Sequence, residues 1–86
     1  MATLNEYFPQ TVFHPGDTLE EKLQEMGMDL KEFAIRTGLS EEYIVTVIIG
    51  QSPITDDVAI QFESVTKIPA HFWMNSQRLY DEYLAR

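Results

Sequence analysis

The chain contains no cysteine, which excludes disulfide staples and every metal site built on thiolates. It is also poor in positive charge: six Lys and Arg stand against fourteen Asp and Glu, a formal net charge of -8. That balance works against unspecific attraction to nucleic acid or anionic membrane, because clustered cations carry such attraction. No run approaches the ~20 consecutive apolar residues of a membrane span, and no basic stretch followed by an apolar one opens the sequence. A cytoplasmic setting is the expectation. The two histidines, His14 and His71, are far apart and neither belongs to a metal-pair spacing. No metal or cofactor is expected. Carboxylates abound, yet no partnered nucleophile or glycine-rich phosphate loop accompanies them, so the expectation is that the chain is not an enzyme.

What is present is enough for one folded domain. The chain has 86 residues, 44% of them apolar, with five Phe, four Tyr and one Trp. A unit of this size encloses a single core, and it gains only a few kcal/mol beyond its entropy cost unless something reinforces it. With disulfides excluded, dimerisation is the expected reinforcement.

Residues 1–16 contain two prolines and no sustained 3.6-residue period, which predicts an arm anchored by Phe8, Val12 and Phe13. The domain then occupies 17–86. Asp17 or Thr18 is the expected cap of a first helix over about 17–26, with Leu19, Leu23 and Met26 on one face. Gly27 ends it, and Asp29 caps a second helix to about residue 37 in which Leu30, Phe33 and Ala34 face inward. Ser40 with Glu41 and Glu42 predicts a third helix over about 40–49, since the hydroxyl accepts a free N–H and the carboxylates favour the positive end of the helix. Gly50 and Pro53 stop it before a fourth helix over about 55–66 carrying Val58, Ile60, Phe62 and Val65. After Pro69 a fifth helix, about 70–85, puts Phe72, Leu79, Tyr80 and Tyr83 near one stripe, with Trp73 in the core or at a dimer contact. Five short helices and no strand signal predict an all-α bundle. Within it, residues 38–50 have the pattern of the turn and second helix of a helix-turn-helix.

The order of several short motifs narrows the class. His14-Pro15-Gly16-Asp17-Thr18-Leu19, Gly27-Met28, Phe33-Ala34, Thr37-Gly38-Leu39-Ser40, Gly50 with Pro53-Ile54-Thr55, and His71-Phe72-Trp73-Met74-Asn75 follow one another along residues 14–80. As an ordered set they resemble the HigA/VapI-type addiction-module antidotes, antitoxins of the Cro/repressor-like (XRE) helix-turn-helix class. The resemblance implies a five-helix lambda-repressor-like domain, a homodimer, an operator DNA partner in its own promoter and a ribonuclease toxin partner.

The same resemblance makes the third helix unusual. It puts Gln where Leu30 stands, small hydroxyl residues at Glu42 and Tyr43, Ser at Val45, Arg at Thr46, Asn at Ile49 and basic residues at Gln51 and Ser52. Major-groove helices read bases with Arg, Asn, Gln, Ser or Thr and are held by cations on phosphates. The candidates that remain are Ser40, Tyr43, Thr46, Gln51 and Ser52 toward bases, with Lys31 and Arg36 toward phosphate. Glu41 and Glu42 oppose them, each like-charge pair with phosphate costing ~0.5–1 kcal/mol after screening. The local chemistry also supports an alternative in which DNA binding is lost. There Tyr43, Val45 and Ile49 form an apolar patch on the acidic helix and bind protein.

Overall fold

Five helices and no strand make up residues 14–85, the part of the chain that the computed structural model describes: α1 (Pro15–Met26), α2 (Leu30–Thr37), α3 (Glu41–Ile48), α4 (Asp56–Thr66) and α5 (Ala70–Leu84). Each starts where an acceptor waits for its free N–H groups. Asp29 Oδ1 accepts from Glu32 N at 2.8 Å, Ser40 Oγ from Tyr43 N at 3.1 Å, and Thr55 Oγ1 from Val58 N at 3.5 Å. Pro69 offers α5 no side-chain cap, and Glu63 of α4 supplies one, its Oε1 accepting from Ala70 N at 2.8 Å. These bonds satisfy donors that a helix leaves unpaired, each contributing on the order of 1 kcal/mol.

α1 begins earlier than its sequence predicts. His14 Nδ1 accepts from Gly16 N at 3.0 Å, and Pro15 occupies the first helical position, where its fixed φ and missing N–H cost nothing. The cap is therefore His14 rather than Asp17 or Thr18, and residues 14–16 belong to the helix start rather than to an arm. The rest of the expected arm, residues 1–13 with Phe8, Val12 and Phe13, lies outside the described residues. Gly16 is buried, and a Cβ added there would collide with the carbonyl oxygens of Val47 and Ile48. Only glycine lets the start of α1 abut the end of α3 backbone to backbone. The contact sets the positive end of one helix against the negative end of the other.

α4 packs against α2 and α5, while α1 packs against α3 and α5. Between them lies a core of Leu19, Leu23, Phe33, Ile44, Val47, Ile54, Ala59, Phe62 and Trp73. Phe62 is its hinge: its ring lies 5.3 Å from Phe33 and 5.2 Å from Trp73, tilted and edge-on, the geometry aromatic pairs prefer. Trp73 also donates its indole N–H to Ile68 O at 3.2 Å.

Three apolar groups sit elsewhere than the sequence predicts. Met26 is 37% exposed, since α1 turns Leu19 and Leu23 inward and leaves Met26 off that stripe. Ile60 is 57% exposed, since α4 turns Val58, Ala59, Phe62 and Thr66 inward. On α5 the buried positions are Trp73 and Gln77, which leaves Phe72, Leu79 and Tyr83 at 40–49% exposure on a separate stripe. Gln77 earns its buried place by bonding: Oε1 accepts from Ile54 N at 2.9 Å, and Nε2 donates to Asp81 Oδ1 at 2.9 Å.

Candidate nucleic-acid interface

α2 and α3 are joined by a turn that the sequence builds almost alone. Gly38 takes φ 75°, a left-handed conformation that costs other residues about 1–2 kcal/mol, and its N–H bonds to Ala34 O at 2.9 Å. Thr37 Oγ1 donates to Phe33 O at 2.8 Å and accepts from Leu39 N, so one buried hydroxyl fastens both sides of the bend. Ser40 then starts α3 in a new direction.

Ile44 and Val47 fix α3 to the core, being 0% and 2% exposed. Its opposite side carries Glu41, Glu42, Val45 and Ile49 into solvent, with Val45 at 39% and Ile49 at 56% exposure. Of the hydroxyls expected near bases, two protons are already given to the protein itself. Tyr43 Oη donates to Pro53 O at 2.7 Å, and Thr46 Oγ1 donates to Tyr43 O at 2.6 Å. Burial pushes the Tyr43 phenol above its ordinary value, which keeps it in the donating form. Ser40 Oγ is occupied as the α3 cap acceptor.

The remaining candidates divide between the two ends of α3. Lys31 lies at the N-terminal end, lining a shallow depression together with Ser40, Glu41 and Glu42. Arg36 is engaged by Glu32, at 2.7 Å from Nη2. Gln51 and Ser52 sit at the other end, around a hollow of about 200 Å³ with His14, Gly50, Tyr80 and Asp81. Their backbone N–H groups fold back onto Thr46 O at 2.8 and 3.2 Å. No cation cluster forms on this face among the described residues. A feature that sequence reasoning missed lies along its flank. Leu23, Met28, Leu30, Val45 and Ile48 line a continuous apolar groove between α1, the α1–α2 turn and α3. Leu23 and Leu30 read as core residues of separate helices, and only the packing of three elements makes them neighbours of Val45.

A capped helix, a glycine turn and a second helix laid across the surface of a five-helix bundle define a helix-turn-helix domain of the lambda-repressor-like class. No protein-family profile matches the chain. A solved protein of Nostoc punctiforme, assigned as an antidote of a plasmid maintenance system, is 32% identical and superposes with a TM-score of 0.81, covering 85% of this chain and 80% of that one. The Pseudomonas aeruginosa antitoxin HigA, solved with the higBA promoter, is 29% identical with a TM-score of 0.80 over 86% of this chain and 82% of its own. Among curated proteins, the Escherichia coli uncharacterized HTH-type transcriptional regulator YddM is 27% identical over 66 residues, 77% of this chain and 70% of that protein. The chain belongs to the HigA-type addiction-module antidotes, a family of regulators and antitoxins rather than of enzymes.

Proposed function

We propose that the protein is an antitoxin-type regulator that binds operator DNA as a homodimer through α3 and neutralises a cognate toxin. The observation that carries the proposal is that the outer face of α3 is open to solvent on a frame 29% identical to an antitoxin solved with the higBA promoter. Two-fold pairing is supported by the Phe72, Leu79 and Tyr83 stripe of α5, an apolar face that nothing in the described chain covers. In the DNA complex Lys31 and Arg36 meet phosphate, Arg36 exchanging Glu32 for it. Ser40, Gln51 and Ser52 face bases, while Tyr43 and Thr46 hold the helix in shape.

With only two such cations per protomer, about four phosphates are neutralised per dimer. The logarithm of affinity should then fall against the logarithm of salt with a slope of roughly -3 to -4. The test is a gel shift of the purified protein on its own upstream region, titrated in NaCl. A specific complex with that shallow slope supports the proposal, and no specific complex even at low salt overturns it. Thr46→Arg combined with Ile49→Asn should strengthen the shift if α3 is the reading helix.

One observation favours a second reading, association with protein through α3: Val45 and Ile49 are an exposed aliphatic pair on a helix that opens with two carboxylates. In that case the upstream DNA is not bound specifically.

A further inference from the structure

The groove beside α3 has a chemistry that DNA does not match. Its volume is about 550 Å³, within the ~300–1,000 Å³ of concave ligand sites, but it opens along the surface instead of closing over a small molecule. Its floor and walls are aliphatic: Leu23 of α1, Met28 of the turn, Leu30 of α2, and Val45 and Ile48 of α3. Its polar margin holds Glu20, Gln24 and Asp29, so its charged groups are acidic, and none of the basic residues among those described lines it. Asp29 spends one carboxylate oxygen on the α2 cap, leaving the other toward solvent. The glutamates that open α3 extend the same sign beyond Val45. An apolar trough with carboxylates on its banks attracts a segment of the opposite pattern.

We propose that this groove is a docking site for a partner protein's amphipathic helix, with aliphatic side chains along one face and lysine or arginine on its flanks. The proposal rests on the protein-association reading of α3 and names the occupant's chemistry. Apolar anchors at i, i+4 and i+7 reach down a shallow groove from a single helix, and flanking cations meet Glu20 and Asp29. Because Val45 and Ile48 form one wall, a seated helix packs along one side of α3.

The probe is a synthetic helical peptide of about 18 residues with leucines at i, i+4 and i+7 and flanking lysines, beside a peptide with glutamate for each lysine. Methyl NMR of the full chain should show shifts at Leu23, Met28, Leu30, Val45 and Ile48 with the lysine peptide. Its affinity at low salt should exceed the glutamate peptide's by about tenfold and fall as NaCl is raised. Leu30→Gln and Met28→Gln should abolish binding in a chain that keeps its helical circular dichroism, and Ile49→Asn should leave it unchanged. Equal affinity for the two peptides, methyl shifts elsewhere, or groove shifts produced by raising the protein concentration alone would overturn the proposal. Loss of binding with Ile49→Asn but not with Leu30→Gln would overturn the groove while leaving association through α3 intact. Absence of any binding by the lysine peptide would overturn the groove, and a specific complex on the upstream DNA would overturn the association reading beneath it.

Discussion

α3 and α5 each bury one stripe and leave another apolar stripe in water, but they do so with opposite chemistry. On α3 the buried and exposed stripes are both aliphatic: Ile44 and Val47 inside, Val45 and Ile49 outside. On α5 the buried stripe holds an amide, Gln77, beside Trp73, while Phe72, Leu79 and Tyr83 face out. Hydropathy alone ranks these positions wrongly. What decides is whether a neighbouring element offers a cavity of the right shape or a polar group needing a partner. Gln77 is inside because Ile54 N requires an acceptor there. Val45 and Ile49 are outside because no element among the described residues packs over that side of α3.

Substitutions that treat the two kinds of stripe differently will break or sharpen the contrast. The largest effect is expected from the adjacent pair Trp73 and Phe72. Trp73→Ala should cost roughly 3–5 kcal/mol in denaturant unfolding, and Phe72→Ala well under half of that, because only the first leaves a cavity. Comparable losses would show that the α5 outer stripe is covered within one protomer. Gly16→Ala comes next. In an open helix this change is favourable by about 0.5–1 kcal/mol, but here the methyl meets the α3 carbonyls, and a loss of about 1–3 kcal/mol is expected. A neutral result in thermal unfolding would mean that the junction of α1 with α3 is looser than it looks.

Gln77→Leu puts a hydrophobe on the buried stripe of α5, where helix patterning would favour one. It should nonetheless destabilise by about 1–3 kcal/mol, since the Ile54 N–H is left without an acceptor. A stabilised variant would refute the account of α5 given above. The smallest effect belongs to Tyr43→Phe, which removes the bond to Pro53 O and should cost about 0.5–1.5 kcal/mol. It should also alter the alkaline limb of stability. The folded-state phenol is raised by burial, so its contribution is complete below the unfolded value near ~10 and is lost as pH rises through the higher folded value. The variant should show less loss than the parent above about pH 10, as read by unfolding midpoints across that range.

Much of the frame was legible because its signals are local. Asp29, Ser40, Gly27, Gly38 and Gly50 mark starts and stops through hydrogen bonds within a turn or through left-handed backbone, and neither needs a distant partner. The exception at the start of α1 has the same origin. A histidine cap is rarer than an aspartate or threonine cap, so the strong cap formers at 17 and 18 drew the expected cap three or four residues past His14. Positions on α3 were legible for a second reason, since a helix anchored by Ile44 and Val47 leaves Val45 and Ile49 on the other side.

The sequence by itself determined the helices, the turn at Gly38 and the scarcity of cations, because capping, left-handed glycine and net charge are fixed by residue identity and near neighbours. Tertiary packing alone decided which apolar stripe of α5 is buried, whose amide satisfies Ile54, and that Leu23, Met28 and Leu30 join Val45 and Ile48 in one groove. Those outcomes depend on which surfaces meet across long stretches of chain, and a side chain carries no record of the element that will lie against it.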